Sequence, residues 1–170
     1  WPDFLHAHGA TRIPDLPDGT ADSVDFTPPA DASQGFLCPL THLGVIAASG
    51  DEVLPFLHNQ LTNDVEHLGE NEARLVGYCS PKGRLVATML MWRAGERILL
   101  ALPRELLPAT LKRLQMFVLR AKVKLADVSD ELVLIGGAAP ETIGTAPWQR
   151  SDRDGGAWLR VPDAGDLRRW

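Results

Sequence analysis

Hydrophobic and polar residues alternate along several stretches of the chain, and this alternation predicts β-strands. In ARLVGYCS (73–80), Arg74, Val76 and Tyr78 would face one side of a sheet, and the residues between them the other side. Apolar runs bounded by glycine, proline or polar residues indicate further strands. The predicted strands cover residues 43–49, 73–80, 84–92, 97–102, 121–128 and 132–136.

Two segments have the leucine spacing of amphipathic helices. The first is DEVLPFLHNQL (51–61), and at its start Ser49 and Glu52 have the spacing of a capping box. The second begins near Pro108, whose missing N–H does little harm in a first turn. Its apolar stripe consists of Leu107, Leu111, Leu114 and Val118. The order is therefore strand, helix, three strands, helix, two strands, which predicts an α+β fold with antiparallel or mixed strand pairing.

Length and composition describe one globular domain preceded by a different kind of segment. The chain has 170 residues, of which 45% are apolar and 23% charged, as in an ordinary single domain. Residues 1–36 are rich in proline and aspartate and show no sustained period, so we expect an irregular or disordered leader and one domain over 37–170. The final AWLRVPDAGDLRRW reads as a strand, a turn and the start of another strand, so we expect this domain to be truncated and the natural polypeptide to continue.

Charge and cysteine content exclude several classes of protein. A net charge of −5 argues against a surface built wholly for nucleic acid but leaves a local basic patch open. The two cysteines, Cys38 and Cys79, are too few for a disulfide framework, a structural zinc site or a self-contained iron–sulfur cluster. No metal site is predicted. This cysteine usage fits a reducing compartment, so we expect a cytoplasmic protein. No apolar run approaches the ~18 residues of a membrane span, so we expect no direct membrane contact.

The segment between the second and third predicted strands has the composition of a hairpin tip. Ser80-Pro81-Lys82-Gly83 fits a type I turn, and it lacks the spacing and the following helix of a phosphate-binding loop. Cys79 directly precedes the turn, and nearby cations such as Lys82 and Arg84 favour a reactive thiolate. A reactive thiol and a small buried hydrophobe both stay open as interpretations of Cys79.

Three blocks of the chain, in this order and spacing, resemble the YgfZ family of folate-binding proteins, which are related to the aminomethyltransferase (T-protein) of the glycine cleavage system. The blocks are LGVIAASGDEVLPFLHNQLTNDV, GYCSPKGRLVATMLMW and LKRLQMFVLRAKVKLADVSDE. The resemblance covers about residues 37–137 and implies a ferredoxin-like half of a three-part fold with a central cleft for tetrahydrofolate. It also implies a bacterial protein that supports iron–sulfur proteins, including an enzyme that methylthiolates tRNA. The family's cysteine motif, K-G-C-[YF]-x-G-Q-E, would lie downstream of residue 170.

The same resemblance implies where folate would bind and argues against aminomethyl transfer. Aminomethyltransferases carry an Asp-Asp pair after the hairpin glycine, whereas this chain has Ala87 and Thr88, and neither can exchange a proton as a carboxylate does. Their asparagine on the next strand matches Leu102, and Leu43 stands where many relatives carry an aromatic residue. The implied folate contacts are Leu43, Leu75, Thr88 and Leu102, and no catalytic residue is assigned.

A basic stripe, defined as Arg120, Lys122 and Lys124, alternates with apolar residues near the end of the resemblance. On a strand, this period of two would place the three cations on one face. The stripe is either a solvated outer face or an anion site for a polyglutamate folate tail or an RNA backbone. Lys82 and Arg84 are further candidates for anion contacts. Aromatic residues are sparse beside the stripe, so sequence-specific reading of RNA is not supported, and nucleic-acid binding stays open.

We therefore expect a folate-binding factor for the maturation of iron–sulfur proteins that has little or no catalytic activity of its own. Its expected partners are folate and iron–sulfur proteins or their assembly machinery. One alternative is a folate-dependent aminomethyl or methyl transferase of the T-protein type. The other is an interaction module that binds no small ligand.

Overall fold

The computed structural model describes residues 6–7, 10–12, 25–26, 35–139, 146–153, 155–165 and 167–170. The helices that shape the domain are α1 (Val53–His58) and α2 (Leu107–Val118), and a short 3-10 turn at Arg104–Leu106 precedes α2. In the described part of the chain, no helix is long and apolar enough to cross a bilayer. The strands are β1 (Ala10–Arg12), β2 (Asp25–Phe26), β3 (Phe36–Pro39), β4 (Leu43–Ser49), β5 (Ala73–Cys79), β6 (Leu85–Ala94), β7 (Arg97–Pro103), β8 (Lys124–Asp127), β9 (Ile135–Ala139), β10 (Arg150–Arg153), β11 (Gly156–Leu159), β12 (Val161–Ala164) and β13 (Leu167–Arg169).

Five strands form the central sheet in the order β5-β6-β7-β4-β8. All four pairings are antiparallel, so the expected α+β fold is confirmed and its central sheet contains no parallel pair. The short connections β5–β6 and β6–β7 are hairpins, whereas β4 reaches β5 through α1 and β7 reaches β8 through α2. Each helical connection carries the chain across the sheet, which gives the ferredoxin-like arrangement.

The two faces of this sheet bury different sets of residues because side chains alternate along each strand. The helix face packs against α1 and α2, and its core includes Ile46, Val76, Met89, Leu100 and Leu102 from the strands and Leu57 and Leu114 from the helices. The opposite face carries Val45, Ala47, Trp92, Leu99 and Ala101, which pack with Val128, Leu132, Leu134 and Leu159. Burial of both faces holds the sheet in one register, since a slip of one residue would exchange the faces.

Several local predictions were wrong in their boundaries or contacts. Ser49 and Glu52 do not form a capping box, because α1 has no side-chain cap and the Glu52 carboxylate instead accepts a 2.7 Å hydrogen bond from the backbone N–H of Lys122. The strand predicted at 121–128 is restricted to β8. The strand predicted at 132–136 is shifted to β9, which lies in another sheet.

The remaining strands form smaller sheets around the domain. Strands β12, β13, β9 and β3 form a four-stranded sheet, and β10 pairs with β11. Most of the predicted leader, residues 1–36, lies outside the described residues. Within its described part, β1 and β2 form a short antiparallel pair that the sequence did not indicate.

Candidate functional site

The turn between β5 and β6 has the predicted hairpin geometry. The backbone N–H of Gly83 donates a 2.8 Å hydrogen bond to the carbonyl of Ser80, and the N–H of Ser80 donates one of 2.8 Å to the carbonyl of Arg84. Gly83 has a φ of 73°, a value that glycine adopts without strain. The chain continues as strand β6 and not as a helix, so a phosphate-binding loop is excluded here. We call this end of the central sheet the hairpin end.

Three of the four predicted folate contacts lie on the opposite face, between the hairpin end and the middle of the sheet. Thr88 pairs with Gly77, and Leu75 lies two residues further along β5 on the same face. Leu43 pairs with Pro103. The register of β6 with β7, continued by two residues, brings Thr88 level with Pro103 and therefore with Leu43. One surface across the neighbouring strands β5, β6, β7 and β4 thus contains Leu75, Thr88 and Leu43.

The fourth predicted contact, Leu102, does not belong to this surface. It is only 1% exposed and lies in the core of the helix face, beneath α1 and α2. The alternation of β7 instead turns its neighbours Ala101 and Pro103 to the opposite face. The prediction for Leu102 was therefore wrong by one residue, which on a strand means the wrong side of the sheet.

Sequence reasoning missed Leu85, which is a prominent apolar side chain of this surface. Leu85 directly follows the turn and is largely exposed. A Cβ atom added to Gly77 would lie 2.9 Å from Leu85 Cδ1 and 3.1 Å from Thr62 Oγ1, so the absence of a side chain at Gly77 lets Leu85 lie over β5. Together with Leu75, which lies nearer the middle of β5 and is 51% exposed, Leu85 forms an apolar platform that reaches the hairpin end.

Ala87 and Thr88 lie on opposite faces of the sheet. Ala87 is buried in the core of the helix face, whereas Thr88 is exposed on the opposite face. Only Thr88 could therefore contact a ligand on the platform. Strands β4, β5, β6 and β7 contain no Asp or Glu, so these four described strands supply no carboxylate to the surface.

The predicted anion contacts fall into two separate groups. Lys82 and Arg84 are exposed at the hairpin end and form no ion pair with a described residue. The basic stripe lies at the other end of the sheet, where Lys124 pairs with Ser49. The length of β4, from Leu43 to Ser49, is about 20 Å at ~3.3 Å per residue and separates the stripe from the hairpin end of the sheet.

The stripe keeps its predicted alternation although most of it is not a strand. Arg120 and Lys122 lie in a turn and a bend before β8, and they are exposed, as is Lys124. Val123 and Leu125 between and beyond the cations are buried in the core of the helix face. Lys122 Nζ lies 3.6 Å from the carboxylate of Asp51, so part of the positive charge of the stripe is already balanced.

Both cysteines are unpaired thiols in half-buried positions. Burial raises the pKa of Cys38, and a backbone hydrogen bond with Gly136 offsets part of that rise, so Cys38 is less available as a thiolate. Cys79 lies at the end of β5, beside the turn. The described residues contain no group of three or more His, Cys, Asp or Glu side chains that could hold a metal ion.

A polar cluster lies beside the outer edge of β5. Asp64 Oδ2 lies 2.8 Å from His67 Nδ1 and 3.7 Å from Arg74, and Asp64 Oδ1 lies 3.4 Å from His58 Nδ1. Desolvation raises the pKa of Asp64, but hydrogen bonds from His67 and the charges of His67 and Arg74 outweigh it and hold the pKa below its usual value. In the sequence, only the spacing Asp-x-x-His indicates this cluster. His58 and Arg74 are brought next to Asp64 by the fold.

A cleft of about 460 Å³ lies next to this cluster and borders the platform at Leu75. Its lining includes Asn63, Arg74 and Trp148. Trp148 has a φ of 69°, which is uncommon for a residue other than glycine. Arg74 is held in place by carbonyl contacts with Asp64 (2.6 Å) and His67 (2.9 Å). The apolar platform thus borders a cleft that is lined by both polar and apolar residues.

Comparisons with known proteins place this domain among well-defined relatives. The chain is 30% identical to the tRNA-modifying protein YgfZ of Colwellia psychrerythraea over 67% of the chain and 36% of that protein. It is 28% identical to the iron-sulfur cluster assembly factor IBA57 homologue of Mycosarcoma maydis over 75% of the chain and 37% of that protein. The chain therefore spans about a third of the length of the curated relatives it matches. No protein-family model matches the chain.

A solved structure shows which known fold this chain shares. The crystal structure of the glycine cleavage system aminomethyltransferase T from Bartonella henselae superposes with a TM-score of 0.77 at 15% sequence identity. The match covers 98% of this chain and 50% of the aminomethyltransferase. At this level of identity the likeness shows the fold alone.

Proposed function

The chain belongs to the YgfZ family, whose fold is that of the glycine cleavage aminomethyltransferases, and from this premise we propose that it is part of a folate-binding protein supporting iron–sulfur proteins. Through those proteins it would contribute to tRNA modification. The names of two relatives support this role, since one is a tRNA-modifying protein and the other an iron–sulfur cluster assembly factor. The expected location in the cytoplasm stays a prediction.

The observation that carries the folate proposal is the platform of Leu75 and Leu85, which reaches the hairpin end. Leu75 and Leu85 offer exposed apolar area on which a planar ring can lie. The exposed Lys82 and Arg84 lie at the same end and can neutralise the carboxylates of a folate tail. These residues fit tetrahydrofolate, which combines flat rings with an acidic tail. The basic stripe lies at the opposite end of β4, where Lys124 pairs with Ser49, and would not share this site.

The same surface argues that bound tetrahydrofolate is not an acceptor in aminomethyl transfer. The chemistry that tetrahydrofolate supplies in such a reaction is a ring nitrogen that takes up a one-carbon group. The protein must then hold or move a proton beside that nitrogen, for which a carboxylate is suited. Thr88 occupies the exposed position and cannot do this near neutral pH. We therefore infer a binding or sensing role for folate.

The rival function is transfer of an aminomethyl or methyl group, and the shared fold is the observation in its favour. Turnover of an aminomethyl donor by the full-length natural protein, at rates well above those of protein-free tetrahydrofolate, would establish this rival. An interaction module without a small ligand is the third candidate. It would fold normally and show no saturable binding of tetrahydrofolate.

Titration of the full-length natural protein with tetrahydrofolate in a calorimeter tests the proposal. We expect saturable binding that Leu75→Asp and Thr88→Trp weaken at least tenfold. A matched control is Val133→Asp, because Val133 is also an exposed apolar side chain but lies outside the platform. Absence of binding by the folded protein would remove the folate proposal.

The cellular part of the proposal needs a separate measurement. In cells that lack the gene, we expect the methylthiolated fraction of tRNA, measured by mass spectrometry, to fall. The natural gene should restore this fraction, and the Leu75→Asp variant should not. Unchanged methylthiolation in the deleted strain would contradict the role in tRNA modification while leaving folate binding intact.

A further inference from the structure

Three large apolar side chains are exposed together at the carboxyl end of α2. Met116 is 60% exposed, Phe117 46% and Leu119 88%. They fall within four consecutive residues, and no other four-residue stretch of the described chain contains three large exposed apolar side chains. We call these three residues the α2-end patch. Contiguous apolar area on a protein surface marks an interaction site more often than single exposed residues do.

The backbone at Leu119 is strained in a way that its own packing does not explain. The N–H of Ala121 donates a 2.6 Å hydrogen bond to the carbonyl of Val118, which closes a turn with Leu119 as its second residue. Leu119 has a φ of 32°, and turns with a positive φ at this position favour glycine. A leucine whose side chain is 88% exposed gains little from burial within the chain. The turn therefore presents a large apolar side chain to solvent at a cost in backbone strain.

Cations surround this patch and lack partners within the described part of the chain. Arg113, Met116 and Phe117 lie on one stripe of α2 at positions i, i+3 and i+4. Lys112 lies beside them and Arg120 in the turn that follows. None of these three cations forms an ion pair with a described residue, in contrast to Lys122. This local positive charge stands out in a chain whose net charge is −5.

We propose that the α2-end patch is a docking surface for an acidic protein segment that presents apolar side chains. The patch would bury the apolar side chains of that segment, and the surrounding arginines and lysine would pair with its carboxylates. RNA fits this surface less well, because Phe117 is the single aromatic side chain of the patch on which a base could stack. The surface lies on α2, away from the platform, so the inference does not rest on folate binding.

Selection from a random-peptide display library against the full-length natural protein tests this inference. We expect enriched peptides to combine Asp or Glu with Leu, Ile or Phe. In fluorescence anisotropy, Leu119→Gly and Met116→Ser should each weaken the binding of an enriched peptide about tenfold, which is the scale of losing one buried apolar side chain. Arg120→Glu should weaken it as well and reduce its dependence on salt.

Two controls separate docking from a structural role. Glycine suits the backbone at Leu119, so Leu119→Gly should keep or raise the thermal midpoint while binding falls. Val133→Ser removes a side chain that is also 60% exposed but lies elsewhere, and it should leave peptide binding unchanged. The inference is overturned if no peptide is enriched, if the enriched peptides lack acidic residues, if the patch variants bind as the natural protein does, or if a single-stranded uridine oligomer binds the patch more tightly.

Discussion

Truncation of two leucines on opposite sides of the central sheet offers a sharp test of how the fold divides core from site. Leu102 is 1% exposed and packed beneath both helices, whereas Leu75 is 51% exposed on the platform. Truncation of a fully buried leucine to alanine costs about 3 to 5 kcal/mol, because apolar contacts are lost and a cavity is left. Full burial of a leucine contributes about 1.5 to 3 kcal/mol, so the half-exposed Leu75 should lose about 1 kcal/mol.

The assay is urea denaturation of Leu102→Ala and Leu75→Ala, combined with titration of tetrahydrofolate. We expect Leu102→Ala to lower the free energy of unfolding by at least 2 kcal/mol more than Leu75→Ala, within the spread of such substitutions. Under conditions in which both variants are folded, Leu75→Ala should weaken tetrahydrofolate binding and Leu102→Ala should not. The reasoning fails if Leu102→Ala is nearly neutral for stability and impairs binding, because Leu102 would then contact the ligand.

Two further predictions concern backbone and charge. Gly50→Ala should destabilise the fold by about 3 kcal/mol or more, because its new Cβ would lie 2.0 Å from the carbonyl oxygen of Lys122. The control is Gly83→Ala, whose Cβ would meet no atom within 4 Å and which should cost only about 1 kcal/mol. Equal thermal midpoints for the two variants would contradict this prediction. The lowered pKa of Asp64 means that its carboxylate stabilises the fold above about pH 4, its unfolded value, and that this contribution is lost as the pH falls through the folded value. Asp64→Asn should therefore reduce the fall in the urea midpoint between neutral and acidic pH, and the control Glu66→Gln should not. An unchanged pH profile in Asp64→Asn would refute the stabilising role of the Asp64 carboxylate.

The sequence was sufficient for the elements whose pattern is local. Alternation and bounded apolar runs predicted β4, β5, β6 and β7 to within about two residues, and leucine spacing predicted α2, because these signals depend only on the burial of one element. The hairpin turn was equally predictable, since proline and glycine at fixed positions specify its geometry.

The errors arose where distant parts of the chain decide the outcome. Glu52 has the spacing of a capping box, but the N–H of Lys122 competes successfully for its carboxylate, and that contact joins residues far apart in sequence. Leu102 was assigned to the site because it matches an asparagine of the aminomethyltransferases. The alternation of side chains along β7 places it on the helix face instead. A single residue of error is decisive on a strand because neighbouring side chains point in opposite directions.

Strand order explains why the basic residues could not be placed in advance. In sequence, the stripe at 120–124 and the pair Lys82 and Arg84 are equivalent candidates for one anion site. The order β5-β6-β7-β4-β8 and the pairing of Ser49 with Lys124 place them at opposite ends of the sheet. The cluster at Asp64 is a similar case, because Arg74 reaches it only through the position of β5.

The most direct test of the proposed function is to map bound tetrahydrofolate onto the sheet by NMR. Backbone amide resonances of the full-length natural protein would be followed during titration with tetrahydrofolate. We expect saturable shifts at Leu75, Arg84 and Thr88 and unchanged resonances at Lys122 and Lys124. Shifts confined to residues of the stripe, or no saturable shift in the folded protein, would contradict a folate site on the platform.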